Sequence, residues 1–333
     1  MRKPTLAVVA LASLAFMVLP AGATYSGTNG PVTYSKNLEP GDEVGLHEIF
    51  RLAGGIETQL SDTFPGAAIN SDWSPDGARI AYDAAPDFDT PPDVWVMNAD
   101  GSGPVQLTNN GWWDAFPNWS PNGIWIAMES DGPRYPETQG IWMLRPDGSG
   151  LTRITTIPNG IAFDSEPAFS PDGRRIAFTR FRGTCKFPNR NRFIAAGCTS
   201  AIHLINVDGT GIERLTPWGN AVASPDWSPD GTLIAYHRCC DSGKQGQKLD
   251  VYVMNADGSS DRRLTKNPPW TGGPFIASGN PVWSPDGKKI AFTQWFADKP
   301  SQIAVMDADG SNIQAVTNDE EASHNEADWG PGS

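Results

Sequence analysis

The chain is short of the residues that most often carry chemistry. Among 333 residues there are four His and four Cys, with no C-x-x-C pair and no G-x-S-x-G elbow. Those absences argue against a cysteine-rich metal site and a serine-hydrolase domain. Basic residues are scarce too, with 25 Lys and Arg against 38 Asp and Glu and a net charge of −13. A surface this acidic argues against nucleic acid and anionic lipid as partners. Beyond the N-terminal segment no apolar run approaches the length of a membrane span. What is abundant is 35 Gly, 29 Pro and 13 Trp. Gly and Pro without a G-X-Y period exclude collagen, and the Trp content excludes disorder. Turn formers and aromatics together predict many short strands joined by tight turns.

Arg2 and Lys3 precede an apolar run from Leu6 to Leu19, Pro20 ends it, and Ala21-Gly22-Ala23 follows. That order of charge, apolar core and small residues predicts a secretory signal peptide over residues 1–23. Cleavage there leaves residues 24–333 as one domain, exported to the periplasm or the extracellular space, with no membrane anchor. A single such domain is expected to be a monomer.

Internal repeats decide the fold class. W-S-P-D-G starts at Trp73, Trp227 and Trp283, W-S-P-N-G at Trp119, F-S-P-D-G at Phe169, and a truncated W-G-P-G at Trp329. The spacings are 46, 50, 58, 56 and 46 residues. An apolar triplet follows each of the first five, as in Ile80-Ala81-Tyr82 and Ile290-Ala291-Phe292. An alternating strand then ends in an Asp-Gly turn, and a last short strand ends in a pair such as Leu107-Thr108. Pro presets φ and Gly accepts a positive φ, so both turns are tight. Four antiparallel strands, a to d, repeated at this period predict a β-propeller. The last unit supplies only strand a, Glu326 to Trp329. Its other three strands are expected at the N-terminus, around Val32-Thr33-Tyr34, His47–Leu52 and Ile56–Leu60. The prediction is a six-bladed ring closed by one C-terminal and three N-terminal strands, which leaves no open edge.

Length variation is confined to two connections. The a–b and c–d spacings are constant, whereas b-to-c distances run 14, 15, 26, 17 and 13 residues and d-to-a distances 12, 15, 12, 19 and 13. In an up-and-down blade those two connections share a face. Function is therefore expected on the b–c/d–a face and at the channel mouth.

The units from Trp73 to Thr108 and from Pro281 to Thr317 resemble the TolB-like propeller repeat, and the match spans about residues 31–332. TolB itself is a periplasmic protein of the Tol–Pal envelope system, works by protein–protein contacts and carries a further α/β domain. The resemblance thus implies a solitary TolB-like propeller that binds other macromolecules.

Candidate sites follow from subtracting the repeat. Trp112, Trp113, Trp218, Trp270 and Trp295 fall in d–a or b–c connections. With Tyr135 they form a candidate aromatic rim for a protein or a cell-envelope glycan, the competing reading being burial as blade caps. Asp72, Asp226 and Asp328 on strands a, with His47, His237 and His324, are the candidate metal ligands, and calcium is the candidate ion. Solvated carboxylates and turn caps are the plainer reading. Cys185, Cys198, Cys239 and Cys240 predict disulfides in an exported protein, either as Cys185–Cys198 with a vicinal Cys239–Cys240 bridge or as two inter-blade links. No catalytic constellation can be assembled, so a non-enzymatic binding scaffold is the leading expectation. A metal-assisted hydrolase or lyase acting on a sugar or lactone at the channel mouth is the alternative.

Overall fold

The computed structural model describes residues 27–39, 46–62, 66–87, 89–134, 137–159, 161–186, 196–239, 249–267 and 276–332. These form six four-stranded antiparallel sheets, and no described residue is helical. Blade 1 joins His324–Pro331 (strand a) to Asn29–Asn37, His47–Ala53 and Ile56–Gln59. Blade 2 is Ala67–Trp73, Arg79–Ala85, Asp93–Asn98 and Val105–Gln106. Blade 3 is Asp114–Trp119, Ile126–Ser130, Gly140–Leu144 and Thr152–Arg153. Blade 4 is Ile161–Phe169, Arg175–Lys186, Ala196–Asn206 and Glu213–Arg214. Blade 5 is Ala223–Trp227, Leu233–Cys239, Leu249–Asn255 and Arg262–Arg263. Blade 6 is Ile276–Trp283, Lys289–Phe296, Gln302–Asp307 and Gln314–Ala315. The ring closes as predicted, with Val32 opposite Trp329 and Thr33 opposite Asp328.

The repeat residues make the same local bonds in the five complete copies. In Ser-Pro-Asp-Gly, the Ser74 hydroxyl donates to Asp76 at 2.6 Å and accepts from the Arg79 N–H at 2.9 Å. Gly77 closes that turn at φ +68°. Asn122 takes the Asp role in the W-S-P-N-G copy. The Asp-Gly turn has a steric reason for its glycine as well. At Gly101, φ is +86° and a Cβ would lie 2.5 Å from the Leu60 carbonyl oxygen of the preceding blade. The Thr that ends each strand d is a staple. Its hydroxyl accepts the first core N–H of strand c: Val94 to Thr108, Ile141 to Thr155, Ile202 to Thr216, Val251 to Thr265 and Ile303 to Thr317, at 2.9–3.0 Å. Ser61 does this for Ile49 in blade 1.

The apolar core is six clusters, one at each blade–blade interface. Each strand-a aromatic packs against the blade before its own. Trp119 sits with Ala81, Val94 and Val96 of blade 2, under the Arg79 guanidinium at 4.8 Å. Trp227 lies likewise under Arg175 at 5.2 Å. Burying an indole this way supplies the main apolar stabilisation of each interface.

Replacing Thr216 with Val removes the acceptor of a buried N–H while keeping the volume. Thr216→Val is expected to lower the unfolding free energy by about 1–3 kcal/mol, read by urea denaturation. A loss within about 0.5 kcal/mol would remove the staple from the account.

Candidate functional site

Every strand a bends at the same place. Asn70, Phe116, Glu166, Ser224, Asn280 and Glu326 all have φ between 49° and 55°, three residues ahead of the blade aromatic. Positive φ is uncommon for non-glycine residues and marked for one as bulky as Phe116. Register shifts at the same positions make each a β-bulge. A bulge re-aims the side chains that follow it. Here it points the residue just before the aromatic at the neighbouring blade.

Those residues form a girdle. Asp72 Oδ2 accepts the Trp119 N–H at 2.6 Å, and Asn118 Oδ1 accepts the Phe169 N–H at 2.8 Å. Asp226 Oδ2 accepts the Trp283 N–H at 2.7 Å, and Asp328 Oδ2 accepts the Trp73 N–H at 2.8 Å. Ala168 and Val282 occupy the same position at the other two interfaces. A second polar layer lies beside it. The residue after each apolar triplet is polar and buried: Ser35, Asp83, Glu129, Thr179, His237 and Thr293. Four of them accept the N–H of the bulge residue on the next blade: Asp83 from Phe116, Thr179 from Ser224, His237 from Asn280 and Thr293 from Glu326, at 2.9–3.2 Å.

The strand-a bulges line a channel pocket of about 140 Å³ that is open to solvent. Its walls include Asp72, Asp226, Asp328, Glu166 and Glu326. Burial pushes the Asp328 carboxyl up to about 6 and Glu326 up to about 7. Asp72 is held well above the usual carboxylate range by burial and then by the Asp328 charge. Burial also raises Glu166, and raises Asp83 in the second layer to about 8.

The structure thus gathers Asp72, Asp226 and Asp328 in one cavity. It does not bring the three histidines there as a set. His237 of blade 5 uses Nδ1 to accept the Asn280 N–H, and burial takes its pKa down to about 3, so it stays neutral. His324 is buried in blade 1, tilted against Tyr34 at 5.3 Å and 3.8 Å from Glu57. His47, also in blade 1, is half-buried opposite Asn37. No group of three or more His, Cys, Asp or Glu with metal-holding geometry occurs among the described residues.

The loop aromatics are braced, not free-standing. Trp112, Trp113, Trp218 and Trp295 are all half-buried. Trp112 leans on Trp142 at 5.9 Å, and Trp218 on His203 at 5.5 Å. Trp295 Nε1 donates to Asn325 Oδ1 at 3.1 Å, bridging blades 6 and 1. Tyr135, Trp270, Cys240 and the Cys185 side chain lie outside the described residues. Cys198 and Cys239 lie on strands c of blade 4 and b of blade 5, and neither is a free thiol.

Fold and girdle together define a closed six-bladed propeller of the bulged-strand type, with five carboxyl groups lining its channel. The chain is a TolB-like β-propeller. No family model matches it. A TolB homolog of Chlorobium luteolum is 31% identical over 262 residues, 66% of this chain and 54% of that protein. An uncharacterised protein of Agrobacterium fabrum is 32% identical over 203 residues, 59% of this chain and 63% of that one. The chain therefore spans less than two thirds of the length of these curated relatives. Among solved structures, TolB from Acinetobacter baumannii superposes with a TM-score of 0.68 at 18% identity, covering 91% of this chain and 67% of that one. An oligogalacturonate lyase in complex with manganese gives 0.54 at 14%, covering 88% and 74%. At such identities these two likenesses establish the fold alone.

The raised carboxyl groups make stability depend on pH. Each binds its proton more tightly folded than unfolded, so unfolding releases protons. Their contribution is full below about pH 4 and falls as pH rises through the folded values, about 6 for Asp328, 7 for Glu326 and 8 for Asp83. The thermal midpoint is expected to be lower at about pH 8.5 than at about pH 5, and Asp83→Asn to flatten the upper part of that decline. Equal midpoints at both pH values would contradict burial of these groups in protonated form.

Proposed function

We propose that this chain is an exported, non-enzymatic binding scaffold. It recognises a protein or an envelope glycan through the b–c/d–a face. One observation carries the reading: Asp72, Asp226 and Asp328, the channel carboxylates nearest to a catalytic arrangement, each bond a backbone N–H of the next blade. They hold the ring together, while the long and unequal loops stand on the opposite end of the strands from the repeated tight turns. Half-buried Trp112, Trp113 and Trp218 on those loops, with Trp295 at the end of strand b of blade 6 rather than in the b–c connection expected from sequence, give the face amphipathic anchors, the kind that dominate binding energy at interfaces. Trp270 and Tyr135 extend the same rim in sequence. The TolB relatives support a protein partner. Residues 1–23 act as the export signal, residues 24–333 are the mature domain, and the destination is the periplasm or the extracellular space. The mature domain works as a monomer.

The cysteines fit that destination. Gly183 pairs with Cys198 and Lys186 with Ala196, which puts the Cys185 backbone beside the strand carrying Cys198. We take Cys185–Cys198 as one bridge and Cys239–Cys240 as the other. All four cysteines are expected to resist alkylation until a reductant is added, read by mass spectrometry. Labelling of the unreduced, denatured protein would remove the bridges.

Capture of envelope components is expected to fall at least several-fold in a Trp112→Ala/Trp218→Ala variant relative to wild type. Unchanged capture would take the aromatic rim out of the proposal. The second reading, a metal-assisted hydrolase or lyase on a sugar or lactone, draws on the cluster of channel carboxyls with raised pKa and on the lyase likeness. Calcium or a transition metal at about one per chain, with turnover on a glycan panel, would favour it.

A further inference from the structure

Blade 4 is unlike the other five at its outer end. Its strands b and c, Arg175–Lys186 and Ala196–Asn206, are the longest hairpin of the ring. Its strand d, Glu213–Arg214, is as short as those of blades 2, 3, 5 and 6 and pairs only with Leu204 and His203, so it does not follow the lengthened strand c. Ser200 then bridges Gly219, and beyond Ser200 no described strand pairs with the outer side of strand c. An open strand edge of this kind offers backbone N–H and C=O groups to an extended peptide.

Two guanidinium groups converge beside that edge. Arg182, opposite Thr199 in the ladder, stacks on the Trp218 ring at 4.5 Å. Arg214, opposite His203, lies over the same ring at 5.8 Å. Both arginines are exposed, and neither guanidinium makes an ion pair or hydrogen bond among the described residues. Arg180, Arg238 and Arg263 are each matched by a carboxylate, Asp164, Asp261 and Asp250, whereas Arg79, Arg145 and Arg175 stack singly, each on its own Trp; among the described residues, only at Trp218 do two guanidinium groups share one ring. His203 beneath Trp218 adds no charge, since burial lowers its pKa to about 4. A guanidinium stacked on an indole keeps its N–H edge available for a carboxylate. In a chain of net charge −13, two such unmatched cations at one spot select an acidic partner by charge complementarity.

We propose that the outer end of blade 4 docks an extended acidic segment of a partner protein. The segment adds along the open edge of strand c, and its carboxylates meet Arg182 and Arg214 beside Trp218. The inference rests on the loop-face reading above and names the chemistry of the partner. Its test uses the purified full chain and a fluorescein-labelled decapeptide of alternating Glu and Val, with fluorescence anisotropy as the readout. The acidic peptide is expected to bind at low salt, and R182Q/R214Q to weaken it at least about tenfold. W218A is expected to weaken it as well, and R174Q, at the tight turn of the same blade, to leave it unchanged. Circular dichroism and the thermal midpoint check that the variants fold. Equal binding by R182Q/R214Q and wild type overturns the proposal, as does equal binding of a Lys/Val peptide. Binding of polygalacturonate through these two arginines without binding of the acidic peptide overturns it too, in favour of a glycan. Envelope capture is measured separately, so failure of the peptide assay leaves the broader scaffold reading to its own experiment.

Discussion

A side-chain oxygen on one blade accepting a backbone N–H on the next is the contact on which this ring depends. Strand a has a free edge facing the channel, and its N–H groups there need acceptors. Asp72, Asn118, Asp226 and Asp328 supply them across four of the six interfaces. The bulge at the positive-φ residue is what lets those side chains reach. Without it, the residue before the aromatic would stay in the pleat of its own sheet. The aromatic whose N–H is held this way is the one that fills the interface with the previous blade, so polar and apolar contacts fix the same joint.

That arrangement shapes the chemistry of the channel. Burial in the channel wall raises the pKa values of Asp72 and Asp328, and the Asp328 charge raises Asp72 further, while the girdle bonds from the Trp119 and Trp73 N–H groups pull the other way. Buried carboxyl groups with shifted pKa values also mark active sites, which is why such a channel resembles one. Here their bonds run to the scaffold. The same logic applies to His237, whose lone pair goes to the Asn280 N–H.

Much of this was legible in the repeat. The Pro-Asp-Gly and Asp-Gly turns, the apolar triplets and the split last blade all follow from residues that act on their near neighbours. The Thr after each strand-d apolar residue was visible as a recurrence, although its staple role was not, because its donor lies about fourteen residues back. The second polar layer could have been found the same way. The column after the triplet reads Ser, Asp, Glu, Thr, His and Thr. It is polar in every blade, but its identity varies, so no single motif announces it. His237, a candidate ligand by residue type alone, is one member of this column.

The sequence by itself determined the blade count, the strand order, the closure of the ring and the face that carries the variable loops. These rest on turn chemistry and on period, which operate over a few residues or repeat regularly. Only the tertiary structure decided what the strand-a carboxylates do, which histidines share a blade, and that Arg182, Arg214 and Trp218 meet. Each of those depends on contacts across blades or on positions brought together from 182 to 218. Where an interaction joins residues that chain distance and periodicity do not relate, the fold has to be built before the partner is known.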